Sequence, residues 1–182
     1  MEILSAEQIR AWDQYTIEHE PITSIDLMER AAASCLSWLE KAGYRGRSFS
    51  IYCGKGNNGG DGLVAARALA AAGQMVRVLL LGRANEIQGE AAVALQRLQD
   101  EAPSVLLDEI VDEAGLKAFT DLLRNAELLI DALVGTGFKP PLRGLAVSLR
   151  EMVEEMRTTV VAVDLPSGWD ADSMEQRGGD AF

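Results

Sequence analysis

The sequence holds one histidine, two cysteines, few aromatics and no long apolar run, and it is short of positive charge. Each shortage removes a class of chemistry. His19 is the single imidazole and lies in a polar stretch, which excludes histidine-based triads and most zinc sites. Acid–base work must then come from carboxylates, Lys, Tyr or water. Cys35 and Cys53 sit in apolar patterns, so they are expected as buried, reduced thiols of a cytoplasmic protein. Met1-Glu2-Ile3 runs straight into a capped helix, and no secretory signal is expected. No apolar segment approaches the roughly 20 residues that span a bilayer. The formal net charge of −11 argues against nucleic acid or an anionic membrane as partner. An anionic small molecule is still allowed, because one loop can hold phosphate within an acidic protein.

What is present is a length suited to one domain with a proper core: 182 residues, 48% of them apolar. Ser5-Ala6-Glu7-Gln8 reads as a capping box, followed by Ile9, Trp12 and Thr16 at helical spacing. Pro21 ends that helix. Ser24 is expected to cap a second, in which Leu27, Ala31 and Cys35 form one row and Met28, Ala32 and Leu36 another. Beyond Gly46 short apolar runs alternate with helical stretches. Strands are predicted at about 48–53, 75–81, 104–107, 127–133 and 158–164. Helices are predicted at about 62–73, 87–101, 112–125 and 143–157. Runs such as Val76-Arg77-Val78-Leu79-Leu80-Leu81 are almost continuously apolar, as strands buried on both faces are. Strict alternation of strand and helix implies an α/β fold with a mainly parallel sheet and right-handed crossovers.

Ligands of open α/β sheets bind at the carboxyl ends of strands, where strand order reverses. Three predicted strands end in polar or glycine-rich segments. The first runs into Gly54-Lys55-Gly56-Asn57-Asn58-Gly59-Gly60-Asp61-Gly62. The fourth ends at Asp131 and continues through Gly135, Thr136, Gly137, Phe138, Lys139, Pro140 and Pro141. The fifth ends at Asp164-Leu165-Pro166-Ser167-Gly168-Trp169-Asp170. With strand order 3-2-1-4-5 these three segments converge on one crevice. Carboxylates gathered there must share a proton, shift their pKa values or hold a cation. Asn58 and Ser167 add neutral oxygens beside Asp131 and Asp164, a donor set that favours a hard cation over zinc or copper. The residues leave potassium, sodium, magnesium and calcium open, with sparse negative charge leaning to a monovalent ion. Lys139 either faces a phosphate or is solvated.

Gly54, Gly56 and Gly59 also satisfy G-x-G-x-x-G between a strand and a helix, which suggests a nicotinamide-dependent dehydrogenase. Three details oppose it. The pattern is degenerate in glycine-rich loops. The second strand ends Leu81-Gly82-Arg83, without an acid to grip a ribose, and Asn57, Asn58 and Asp61 stand where small residues are usual.

The 54–62 segment, the Asp131-Ala132-Leu133-Val134-Gly135-Thr136-Gly137 segment and the Asp164–Asp170 segment occur in one order. Together with Leu27-Met28-Glu29-Arg30-Ala31 they strongly resemble the NAD(P)HX epimerase family, the YjeF N-terminal domain, over essentially the whole chain. The resemblance implies a Rossmann-like three-layer αβα sandwich, a homodimer, and epimerisation at C6 of hydrated NADH and NADPH. R and S forms of NADHX or NADPHX would interconvert, so that an S-specific dehydratase can restore the cofactor. It implies substrate contacts at Asn57, Asn58, Gly59, Gly60 and Asp61, at residues 135–141, and at Asp164. It implies a potassium ion on Asn58, Asp131 and Ser167.

Family members usually continue beyond the position of Phe182 with a further strand and a final helix, and some carry a dehydratase domain. The single domain 1–182 is therefore expected to be a truncated one. Inversion at C6 needs the C–O or ring C–N bond to break and reform from the other face. Asp164, ending a buried strand, is the expected general acid/base. The alternative is a non-catalytic nucleotide- or protein-binding module on the same fold.

Overall fold

Ser5 starts the first helix as its capping box predicts. Its hydroxyl accepts the Gln8 N–H at 3.2 Å, and its own N–H donates to the Gln8 side chain at 2.8 Å. The computed structural model describes residues 4–44, 48–156 and 158–173. The chain end at 176–182, with the expected truncation point, lies outside them.

Helix α1 (Ala6–His19) and helix α2 (Ser24–Lys41) precede strand β1 (Ser48–Cys53). Thr23, one residue before the expected Ser24, caps α2, because its hydroxyl is the one that accepts the Asp26 N–H. Then follow α3 (Asn57–Ala71), β2 (Met75–Leu81), α4 (Gly89–Glu101) and β3 (Leu106–Ile110). Helices α5 (Glu113–Ala118) and α6 (Thr120–Arg124) lead to β4 (Leu128–Ala132), and α7 (Leu145–Met156) to β5 (Val160–Ala162).

The five strands form one parallel sheet in the order β3-β2-β1-β4-β5, the order expected from the sequence. Side chains alternate across it. Phe49, Ile51 and Cys53 of β1 join Val78, Leu80, Leu128 and Ile130 beneath α2, α3 and α4. Tyr52, Leu79 and Leu129 face the other way, against Leu116, Leu123, Leu149 and Val153 of α5, α6 and α7. The result is a three-layer α/β sandwich. Strand order reverses between β1 and β4, whose carboxyl ends therefore diverge into a crevice. Among the described residues no helix is long and apolar enough to cross a membrane.

Most boundaries shift by one or two residues from those expected, and three differences have a visible cause. Strand β3 lies two residues later, since Arg77 and Asp108 pair at 2.6 Å across β2 and β3 and make a polar segment acceptable there. The helix expected at 112–125 breaks at Phe119 into α5 and α6. Most important, α3 begins at Asn57, so the asparagine-glycine segment is the first turns of a helix rather than a loop before one. Glycine explains both the expectation and the outcome. Its helix propensity is poor, but here bare backbone is what lets the helix start hard against the sheet. A Cβ on Gly59 would stand 1.9 Å from the Gly54 carbonyl oxygen, and one on Gly62 would stand 2.5 Å from Ala132 Cβ.

Candidate functional site

A cleft of about 1320 Å³ opens at the carboxyl ends of the strands. That volume accommodates a dinucleotide-sized ligand. The start of α3 forms one wall, with Asn57, Asn58 and Asp61 lining it. Gly135, Thr136, Gly137 and Phe138, following β4, form another, and Asp164, following β5, completes the convergence. Gly59 and Gly60 are buried behind the wall, where Gly60 packs against Met28 and Ala91. Lys139, Pro140 and Pro141 stand off the cleft. Lys139 donates to Asp170 at 3.0 Å and to Asp172 at 2.9 Å, and Asp172 in turn accepts the Ala6 N–H at 2.8 Å. This lysine ties the post-β4 loop to the chain leading out of β5 and to the start of α1.

Asp164 is held in place. Its Oδ2 accepts the Thr136 N–H at 2.7 Å, and Gly135 provides the room: a Cβ there would stand 2.3 Å from that oxygen. The backbone of the post-β4 segment thus aims the carboxylate that follows β5.

Asp131 occupies a different environment. It is fully buried between Tyr52 of β1 and Ala162 of β5. Oδ1 accepts the Ser167 hydroxyl at 2.6 Å and the Leu133 N–H at 3.1 Å; Oδ2 accepts the Ser167 N–H at 2.7 Å. Burial pushes its pKa up, and these three hydrogen bonds pull it back. Asp131 therefore organises the turn after β5 instead of facing the cleft. On the cleft wall, Asn58 carries an amide whose oxygen and nitrogen are both buried and find no hydrogen-bond partner among the described residues. An orphaned amide of this kind is a place for an ion or water. The residues expected to hold an ion, Asn58, Asp131 and Ser167, offer oxygen donors and one formal negative charge, a chemistry that suits a monovalent hard cation. Among the described residues no three His, Cys, Asp or Glu side chains gather as a metal cage.

Asp61 is the most perturbed carboxyl of the cleft. Burial first, then the nearby Asp164 and Asp13, push its pKa up to about 7. Asp13 is raised for the same reasons, burial and the Asp164 charge. The sequence reading missed Asp13, Arg10, Cys35, Arg83 and Arg143, all of which line the cleft. Arg10 and Asp13 belong to α1, whose polar face reads as a solvated one. Arg83 was visible at the end of β2 but only as the absence of a ribose-binding acid. Cys35 and Cys53 are both unpaired thiols, and Cys53 is fully buried.

Residues 24–180 match the family described as YjeF-related protein N-terminus. The bifunctional NAD(P)H-hydrate repair enzyme Nnr of Moorella thermoacetica is 38% identical over 177 residues, covering 95% of this chain and 33% of its own length. The NAD(P)H-hydrate epimerases of Rhodopirellula baltica and Limosilactobacillus fermentum are 35% and 34% identical. They cover 94% and 93% of this chain, which spans 68% and 76% of theirs. The chain thus spans about a third of the bifunctional relative and about two thirds or more of these two epimerases. The crystal structure of yeast ynu0, YNL200c, superimposes with a TM-score of 0.82 at 24% identity, covering all of this chain and 77% of that one. Three strand-end segments converging on one cleft, in a fold and sequence shared with these proteins, lead to one conclusion: the chain belongs to the YjeF-related N-terminal family.

Proposed function

We propose that this chain is an NAD(P)H-hydrate epimerase, interconverting the R and S forms of NADHX and NADPHX. The observation that carries the reading is the cleft itself, where the Asn57–Asp61 turn, the 135–138 backbone and Asp164 meet at the switch point of the sheet. The named epimerases are identical to the chain at 35% and 34% of the aligned positions, which cover most of its length. The helix start presents backbone N–H groups to phosphate. Arg10, Lys55, Arg83 and Arg143 supply positive charge around the cleft of an otherwise acidic protein. Asp164 is the acid–base residue of this reading, its carboxylate set by Thr136. No redox partner is required.

Potassium is the ion this reading places on Asn58, Asp131 and Ser167. When bound, it would supply positive charge to the floor of the site and satisfy the Asn58 amide oxygen. A homodimer is also part of the proposal, supported by the exposed aromatic side chains Trp12, Tyr15 and Trp38 on the two amino-terminal helices. Sedimentation velocity reads that directly.

The activity is tested by incubating purified R-NADHX with the protein and following the S form by chromatography, in potassium and in sodium. Appearance of the S form, faster in potassium, is the expected result. Nucleotide binding with no change in the R form would make the chain a binding module instead.

A further inference from the structure

We propose that the acid and base roles of the epimerisation are divided between two carboxylates, with Asp61 as the group that gives the proton and Asp164 as the group that receives it. The proposal rests on the epimerase reading above and deepens it. Three features of the cleft point to the division. Asp61 projects from the first turns of α3 into the cleft, and among the described residues no donor or cation pairs with its carboxyl. The groups facing it are Asp13 from α1, the Cys35 thiol from α2, the buried Cys53 thiol of β1 and Asp164 after β5. Of the cations that line the cleft, Lys55 is committed to Glu86 at 2.7 Å. Asp164, by contrast, has a fixed N–H donor from Thr136 at 2.7 Å, the arrangement that suits an acceptor.

Burial and these acidic neighbours keep a proton on Asp61 up to about pH 7. Two carboxyls whose surroundings differ in this way fall naturally into acid and base. Asp13 is the weaker candidate, because it is exposed. Asp131 is excluded by its three internal hydrogen bonds.

In the R-to-S direction Asp61 transfers its proton to the C6 hydroxyl oxygen as the C6–O bond breaks. The electron pair of that bond leaves with the oxygen as water, and the lone pair of ring N1 forms a C6=N1 iminium. Water then adds to C6 from the opposite face, the π pair returns to N1, and the proton lost by the added water passes to Asp164. Transfer from Asp164 to Asp61 through cleft water restores the starting state. One water leaves and one enters, and no electrons are exchanged with a partner. The return direction uses the same two groups with their roles exchanged.

The experiment measures R-NADHX epimerisation from pH 5 to 9 for wild type, Asp61→Asn and Asp61→Glu. Wild-type kcat should hold below neutrality and fall above about pH 7. Asp61→Asn should lose about 10²–10⁴-fold in kcat, keep KM within about threefold, and lose the descending limb. Asp61→Glu should recover part of the rate and show a displaced limb, which a purely structural role would not produce. Circular dichroism separates these effects from misfolding. A wild-type limb near pH 7 that persists in an Asp61→Asn protein of near-normal kcat overturns the proposal and leaves the epimerase reading standing. Wild-type protein that leaves the R form unchanged overturns that reading, and the proposal with it.

Discussion

Ser167 donates both its backbone N–H and its hydroxyl to the two oxygens of Asp131, at 2.7 and 2.6 Å. The same hydroxyl oxygen accepts the Val134 N–H at 3.0 Å. One small side chain therefore joins the end of β4, the segment that follows it and the turn after β5. This is why Asp164, three residues before Ser167, arrives at the cleft opposite the backbone of Thr136. The buried carboxylate builds the site, and the exposed one works in it.

Ser167→Ala removes a charge-assisted hydrogen bond and leaves the Val134 N–H without its acceptor. A hydrogen bond to a buried charged group contributes about 1.5–3 kcal/mol, so urea unfolding of the variant should show a loss of about 2–3 kcal/mol. Ser167→Thr, which keeps the hydroxyl, should recover part of it. A loss below about 0.5 kcal/mol, within the range of ordinary surface substitutions, would show that water takes over the hydroxyl's place.

The glycines of the 54–62 segment are not equivalent. A Cβ on Gly59 would stand 1.9 Å from the Gly54 carbonyl oxygen, and backbone cannot move aside as a side chain can. Gly56 has nothing within 4 Å of its added Cβ and sits at φ −95°, which alanine adopts freely. Gly59→Ala should therefore lower stability by about 2 kcal/mol or more, as overpacked positions do. Gly56→Ala should be neutral or stabilising by about 0.4–1 kcal/mol, through the unfolded chain. Thermal unfolding of the two variants side by side checks the ordering, and equal losses would contradict it.

Gly135→Ala tests positioning without testing the fold. The added Cβ would stand 2.3 Å from Asp164 Oδ2, and this neighbour is the movable end of a side chain. The carboxylate can swing away at little cost in stability, but it then leaves the Thr136 N–H. Displacement of a reacting group by about 1 Å costs about 10²-fold in rate. The expected result is a Tm close to wild type with kcat reduced on that scale. A parallel fall in Tm and kcat would mean that the position serves packing alone.

The centre of the sheet was legible because its strands read as mostly apolar runs: residues 75–81 and 48–53 fall where expected. The order β3-β2-β1-β4-β5 then brought Asn58, Asp61 and Asp164 to one cleft, as the strand ends implied. Local signals failed where tertiary contact overrides propensity. Asn57 to Gly62 has the composition of a loop, yet the contact of bare α3 backbone with Gly54 makes it helix. Asp108 and Glu109 look unlike strand until Arg77 and the Ala84 N–H meet them from neighbouring elements. Arg10 and Asp13 were invisible for a related reason. A polar residue on an amphipathic helix gives no sign of whether its face meets solvent or a cleft. Lys139, which could have been either a phosphate ligand or a solvated charge, pairs with Asp170 and Asp172, neither of them adjacent to it in sequence.

Asp61 should also leave a mark on stability, and its sign is opposite to that of a salt-bridged carboxylate. Its folded-state pKa of about 7 lies above the ordinary 3.8 that it regains on unfolding. Between those values the folded protein binds the proton that the unfolded chain has released, so folding is favoured more strongly as pH falls. This contribution is fully present below about pH 4 and is lost as pH rises through about 7. Above neutrality wild type must keep a half-buried anion facing Asp164 and Asp13. Asp61→Asn removes that charge and should raise stability at pH 8 by about 1–2 kcal/mol, less than the full shift implies because the group faces a solvent-filled cleft. Near pH 4 the two proteins should be alike. Urea titrations at the two pH values check both halves. Equal stability at pH 8, or a variant less stable there, would mean that Asp61 gains a compensating partner when ionised, and the basis for its holding a proton at neutral pH would be gone.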